Sequence, residues 1–175
     1  MFREAEQLRR KIRWLLGLFI AGLVLSGLTA FPLLHELNFL AALLHPAGSP
    51  APSAGGLVWW ILHVRSGLAT TYQSYPFLGY GTDWLAFAHL VMALFFIAPW
   101  RDPVRNIAAL KAGLIASAAV IPLALICGEV RGIPFYWGLI DCSFGVGGWL
   151  FLWPAFTLTR QLERDEDPSS GRSFA

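Results

Sequence analysis

Charge is scarce in this chain. Asp, Glu, Lys and Arg together make up 14% of its 175 residues, where soluble domains carry about 25%. Cysteine is scarcer still. Cys127 and Cys142 are too few for a disulfide framework, and no C-x-x-C or Cys/His ligand spacing occurs, so neither redox chemistry nor a metal site is expected. There is no basic stripe apart from the charges flanking apolar runs, which removes nucleic acid from the expected partners. Ser143 has no G-x-S-x-G context, and Gly145-Val146-Gly147-Gly148 lies inside an apolar run, so neither a serine hydrolase nor a phosphate loop is indicated.

What fills the chain is apolar. Hydrophobic residues make up 56% of it and the mean hydropathy is +0.56, the composition of an integral membrane protein. Four runs, 12–34, 84–100, 107–127 and 137–158, have the length of membrane spans, about 17–25 residues. The first follows a charged start like that of a signal peptide. Its apolar stretch exceeds an h-region of about 7–15 residues, which predicts an uncleaved anchor helix. Small residues spaced four apart, Gly22, Ser26 and Ala30 in the first run and the overlapping pairs within Ala112, Gly113, Ala116 and Ser117 in the third, which also carries Ala119, predict close helix contacts. Thr82 or Asp83 is placed to cap the second span, Asp102 to cap the third, and Pro122 to kink it.

Residues 35–56 turn rich in Pro, Gly, Ser and Ala and read as a loop. After it, Leu57, Trp60, Ile61, Val64, Leu68, Tyr72 and Tyr75 recur at helical spacing opposite His63, Ser66, Thr70 and Gln73. This pattern predicts an amphipathic helix over 57–75, lying in the interface or over the mouth of a bundle. The expected fold is an all-α, integral membrane four-helix bundle over residues 1–162, followed by a flexible tail at 163–175. With the N-terminus in the cytoplasm, eleven Lys and Arg residues fall inside and only Arg65 and Arg131 outside. Both termini are then cytoplasmic and the 57–75 helix extracytoplasmic, as in a bacterial cytoplasmic (inner) membrane.

Two ionisable groups lie inside spans at similar depth. Asp141 is about 10 Å, and His89 about 9 Å, from the outer ends of their helices. An intramembrane carboxylate costs a few kcal/mol on insertion scales and calls for a partner or a task. The two groups are candidates for a hydrogen-bonded pair, serving either as an interhelical clasp or as a site. Around them the sequence collects Glu129 and Arg131 on the short outer loop, His35 and Glu36 at the mouth of the first span, and His63 and Arg65 on the amphipathic helix. These are the candidate lining of a polar pocket opening outward, with Phe135, Tyr136 and Trp137 as an aromatic wall. Read singly, each is equally a solvated interfacial group, with Glu129 and Arg131 pairing. Haem b held by two histidines is disfavoured because only His89 lies deep in a span, and no cofactor is expected.

The stretches YGTDWLAFAHL, RDPVRN, GIPFYW and IDCSFG together resemble a family of small, uncharacterised bacterial four-span membrane proteins. That resemblance covers most of residues 12–158 and implies no activity. The layout is also similar to that of the emopamil-binding and sigma-type receptor superfamily, one span, an outer amphipathic segment, then three packed spans around a ligand cavity. The acidic residues which that superfamily places in its first and second spans are missing here, where the second carries His89, and this counts against sterol isomerase activity.

The sequence therefore leads to a membrane binding or accessory protein with a polar site for a lipid or other apolar small molecule. Its expected partners are membrane lipids and either another membrane protein or a second copy of the chain. The competing readings are an enzyme on a lipid or isoprenoid-like substrate, with His89 as acid/base and Asp141 orienting it, and a structural subunit of a larger membrane complex.

Overall fold

The computed structural model describes residues 2–166. Every regular element among them is helical: α1 (Phe2–Ala30), α2 (Leu33–Leu44), α3 (Leu57–Ser74), a 3-10 turn (Pro76–Leu78), α4 (Gly79–Phe95), α5 (Ile97–Arg101), α6 (Ile107–Val130) and α7 (Phe135–Glu166). Four stretches, Arg3–Ala30, Pro76–Arg101, Ile107–Val130 and Phe135–Asp165, are long and apolar enough to cross a membrane.

Proline sets most of the boundaries. α1 stops at Ala30 rather than running to Leu34 because Pro32 lacks an N–H and disfavours helix at Phe31. A new helix, α2, then forms where the sequence reads as loop. Its stretch LLHELNFLAALL contains no Gly or Pro, and the breakers begin only at Pro46, where His45 closes the helix through its N–H to Ala41 O. Pro76 likewise ends α3 at Ser74 and opens the 3-10 turn that leads straight into α4. The second span is interrupted at Phe96. Pro99 stands four residues after Phe95, whose carbonyl its ring excludes from the helix ladder. α7 continues to Glu166, so the segment read as a tail begins as helix; residues 167–175 lie outside the described residues.

The chain divides into two compact units, one of residues up to Gly22 together with those from Ala93 on, the other Leu23–Met92. In the first, Ile12 and Leu16 of α1, Leu110 and Leu114 of α6, and Leu152, Ala155 and Leu162 of α7 form the core. Phe19 meets Phe96 edge to face at 4.8 Å, and the Trp100 indole donates to Arg13 O at 3.0 Å. α6 and α7 run antiparallel through a tight reversal. Gly132, at φ +67°, lets its own N–H reach Glu129 O and the N–H of Ile133 reach Gly128 O, a Schellman closure that needs a left-handed residue.

Along this pair the contacts climb one helix as they descend the other. A Cβ on Gly113 would strike Phe96 and Leu152, Trp149 Nε1 donates to Leu114 O at 3.0 Å, and Gly145 and Gly148 lie directly on Ser117. A Cβ on Gly145 would sit 2.5 Å from Ser117 O. Small residues permit this approach, and in lipid it is close packing rather than burial from water that holds helices together.

In the second unit, α1 meets α4 at Gly27, where a Cβ would come within 2.9 Å of Ala86 O. α3 packs on α2 with Ile61 and Ala41 buried. Val64, Leu68 and Tyr72 continue the half-buried side of α3, and His63, Ser66, Thr70 and Gln73 are exposed.

Candidate functional site

Asp141 lies on α7, half-buried, two helical turns from the Pro134 end. Its neighbour Cys142 faces α6, with Sγ directed at Ile121 O 3.9 Å away, and Asp141 shares its helix face with Gly138, Gly145 and Gly148, which lie against α6. Trp137, one turn earlier, occupies the same face and is also half-buried, as is Tyr136. Among the described residues of its unit, Asp141 has no hydrogen-bond or ion-pair partner. The pairing expected between Glu129 and Arg131 does not form either. Both are exposed at the α6 reversal, and no ion pair joins them. Cys127 is exposed and Cys142 buried, and both are free thiols.

His89 belongs to the other unit. It is half-buried on α4, and its Nδ1 is 2.8 Å from Leu85 O one turn back. A carbonyl only accepts, so Nδ1 carries the proton and Nε2 is the nitrogen left for any further partner. The residue sits beside the close approach of α1, since a Cβ on Gly27 would lie 3.2 Å from His89 Cβ.

The remaining candidates of this unit gather on α2 and α3. Arg65 Nε donates to Asn38 Oδ1 at 2.6 Å, tying α3 to the helix that carries exposed His35 and Glu36. Asn38 was not singled out in the sequence because it falls in the stretch read as loop. His63 is exposed and stacks on the Trp59 ring at 5.0 Å and the Trp60 ring at 5.6 Å. The Trp60 indole Nε1 is buried and has no hydrogen-bond partner among the described residues. Among the described residues no three His, Cys, Asp or Glu side chains converge as a metal site.

The second unit also contains a cavity of about 750 Å³ at the junction of the α1 end, the α3 end and the start of α4. Its polar groups were read from sequence as a helix cap, and the structure corrects this. α4 begins at Gly79, so Thr82 and Asp83 lie in its first turns and cap nothing. Thr82 Oγ1 donates to Gly79 O at 2.6 Å, and the Tyr72 hydroxyl therefore donates to Thr82 Oγ1 at 3.0 Å.

Helices throughout and four stretches of span length define the class, a multi-pass helical protein of membrane type. Comparison with known family models, curated proteins and solved structures finds no match to any of them.

Proposed function

We propose that this is a multi-pass protein of the bacterial cytoplasmic membrane, with both termini in the cytoplasm, that binds a lipid or other apolar small molecule at a polar site on the extracytoplasmic side. Its surface supports the membrane reading. Trp14, Leu25, Phe95, Ile115, Phe144 and Leu150 are each more than 60% exposed, and so much apolar surface exceeds the patch of a few hundred Å² that soluble monomers tolerate. The eleven-to-two distribution of Lys and Arg supports the orientation.

The observation that carries the binding reading is Asp141. An ionisable side chain in a span marks a ligand or ion path by default, and a carboxylate serving only to clasp α7 to α6 would be hydrogen-bonded across that seam. Instead it makes no hydrogen bond or ion pair among the described residues and lies one turn from half-buried Trp137, an acidic head beside an aromatic ring. That combination suits a molecule with one polar end and an apolar body.

The test is native mass spectrometry of the detergent-purified chain with identification of what it retains. The wild type is expected to keep a small molecule. Asp141→Asn should lose it by about tenfold, equivalent to about 1.4 kcal/mol, at an unchanged melting temperature. A lower melting temperature with the molecule kept would make Asp141 a structural clasp, and retention of another protein in its place would favour the subunit reading.

A further inference from the structure

We infer that the cavity at the start of α4 is a binding site for an organic ammonium group, distinct from the Asp141 site and contained wholly in the second unit. Phe31, Tyr72, Phe77 and Tyr80 wall it, Thr82 lies beside Tyr72, and Asp83 is its one charged group. Three of the rings stay open to a ligand: Phe31 is 45%, Phe77 70% and Tyr80 63% exposed.

Charge in this unit makes the carboxylate unusual. Apart from its four histidines, the unit contains just three acidic or basic residues, Glu36, Arg65 and Asp83. Its only guanidinium is engaged by Asn38, away from the cavity. No Lys, Arg or His lines the cavity, and Asp83 has no hydrogen bond or ion pair among the described residues. Aromatic faces are themselves negative at their centres and attract a cation within about 6 Å. Aromatic side chains lining the same cavity as an unneutralised carboxylate therefore favour an organic cation, because a hydrated metal ion gains nothing from apolar walls.

One wall of the cavity is also fixed in place. The Tyr72 ring rests on Gly79, where a Cβ would come within 3.3 Å of it, and its hydroxyl is committed as a donor to Thr82. The Tyr72 oxygen thus keeps lone pairs free, and its available role toward a ligand is acceptor, which suits the N–H of a primary ammonium or the polarised N–CH3 groups of a quaternary one. Phosphate or carboxylate ligands meet Asp83 as a like charge.

Alkylammonium groups occur on zwitterionic lipid headgroups and on soluble amines, and the experiment separates the two. Full-length protein in neutral detergent is titrated by calorimetry with choline, with ethanolamine, and with dimethylbutanol, the uncharged isostere of choline. Both cations are expected to bind, with the isostere at least about tenfold weaker, and Asp83→Asn and Tyr80→Leu should each weaken the cations about tenfold. Asp83 is exposed and unpaired, so the Asn variant is expected to melt with the wild type. In nanodiscs containing equal phosphatidylethanolamine and phosphatidylglycerol, preferential retention of the former that disappears in Asp83→Asn identifies the headgroup as the source. Binding of the free amines without that preference identifies a soluble amine. Equal binding of choline and its isostere, unchanged binding in Asp83→Asn, or no binding of either amine and no lipid preference, overturns the inference.

Discussion

The hydrogen bond from Tyr72 to Thr82 and on to Gly79 O shows how much one small side chain settles. Thr82→Val keeps the shape of the residue but leaves the Tyr72 hydroxyl without its acceptor, and should cost about 1 kcal/mol, a typical net hydrogen bond; Thr82→Ser should restore it. Thermal unfolding of the two variants in detergent checks this, with equal melting temperatures as the contrary result. Gly27 acts in the opposite sense, through what it omits. Its α-carbon is where α1 lies against Ala86 and His89, so Gly27→Val drives a side chain into backbone and should destabilise by about 1–3 kcal/mol. A folded Gly27→Val protein of wild-type stability would mean that α1 and α4 are not in this contact.

At the scale of elements, the α6–α7 hairpin depends on one reversal and one seam. Gly132→Ala must place a Cβ in the left-handed region and should cost about 1–2 kcal/mol, whereas Gly145→Val is blocked by the Ser117 carbonyl and should separate the helices and lower the melting temperature further. If Gly145→Val melted no lower than Gly132→Ala, the seam would not be the stronger constraint. The helices themselves were legible in the sequence, because long apolar runs and proline breaks are local signals: α3 spans Leu57–Ser74 where 57–75 was expected, and α6 starts at Ile107. α2 was hidden by the Pro- and Gly-rich stretch that follows it, which coloured the reading of the whole segment 35–56. The cavity at Asp83 was hidden for another reason. One wall, Phe31, is remote in the chain and the others are gathered only by the turn at Pro76, while a Thr-Asp pair after glycines mimics a helix cap until that turn is seen to start the helix early. Asp141 was conspicuous from sequence alone, since an acid within an apolar run needs no tertiary information to stand out.

For the whole molecule, the proposed orientation puts Ser53 outside and the end of α7 inside. In a chain whose free thiols Cys127 and Cys142 have been replaced, cysteines at Ser53 and at exposed Asp165 should react with an impermeant maleimide from opposite faces of sealed vesicles. Labelling of both from one face would remove an odd number of crossings and with it the four-span topology. The antiparallel seam has a further consequence, for how the chain reaches the membrane. α7 carries Asp141, three glycines over Gly145–Gly148 and Pro154, features that weaken its partition into lipid as a lone helix. α6 is more uniformly apolar, leaves the ribosome first, and presents Gly113 and Ser117 toward its successor. In the proposed membrane topology the translocon would therefore receive a strong inserter joined by a short reversal to a weak one, and a helical hairpin that enters as one body would let the first carry the second across.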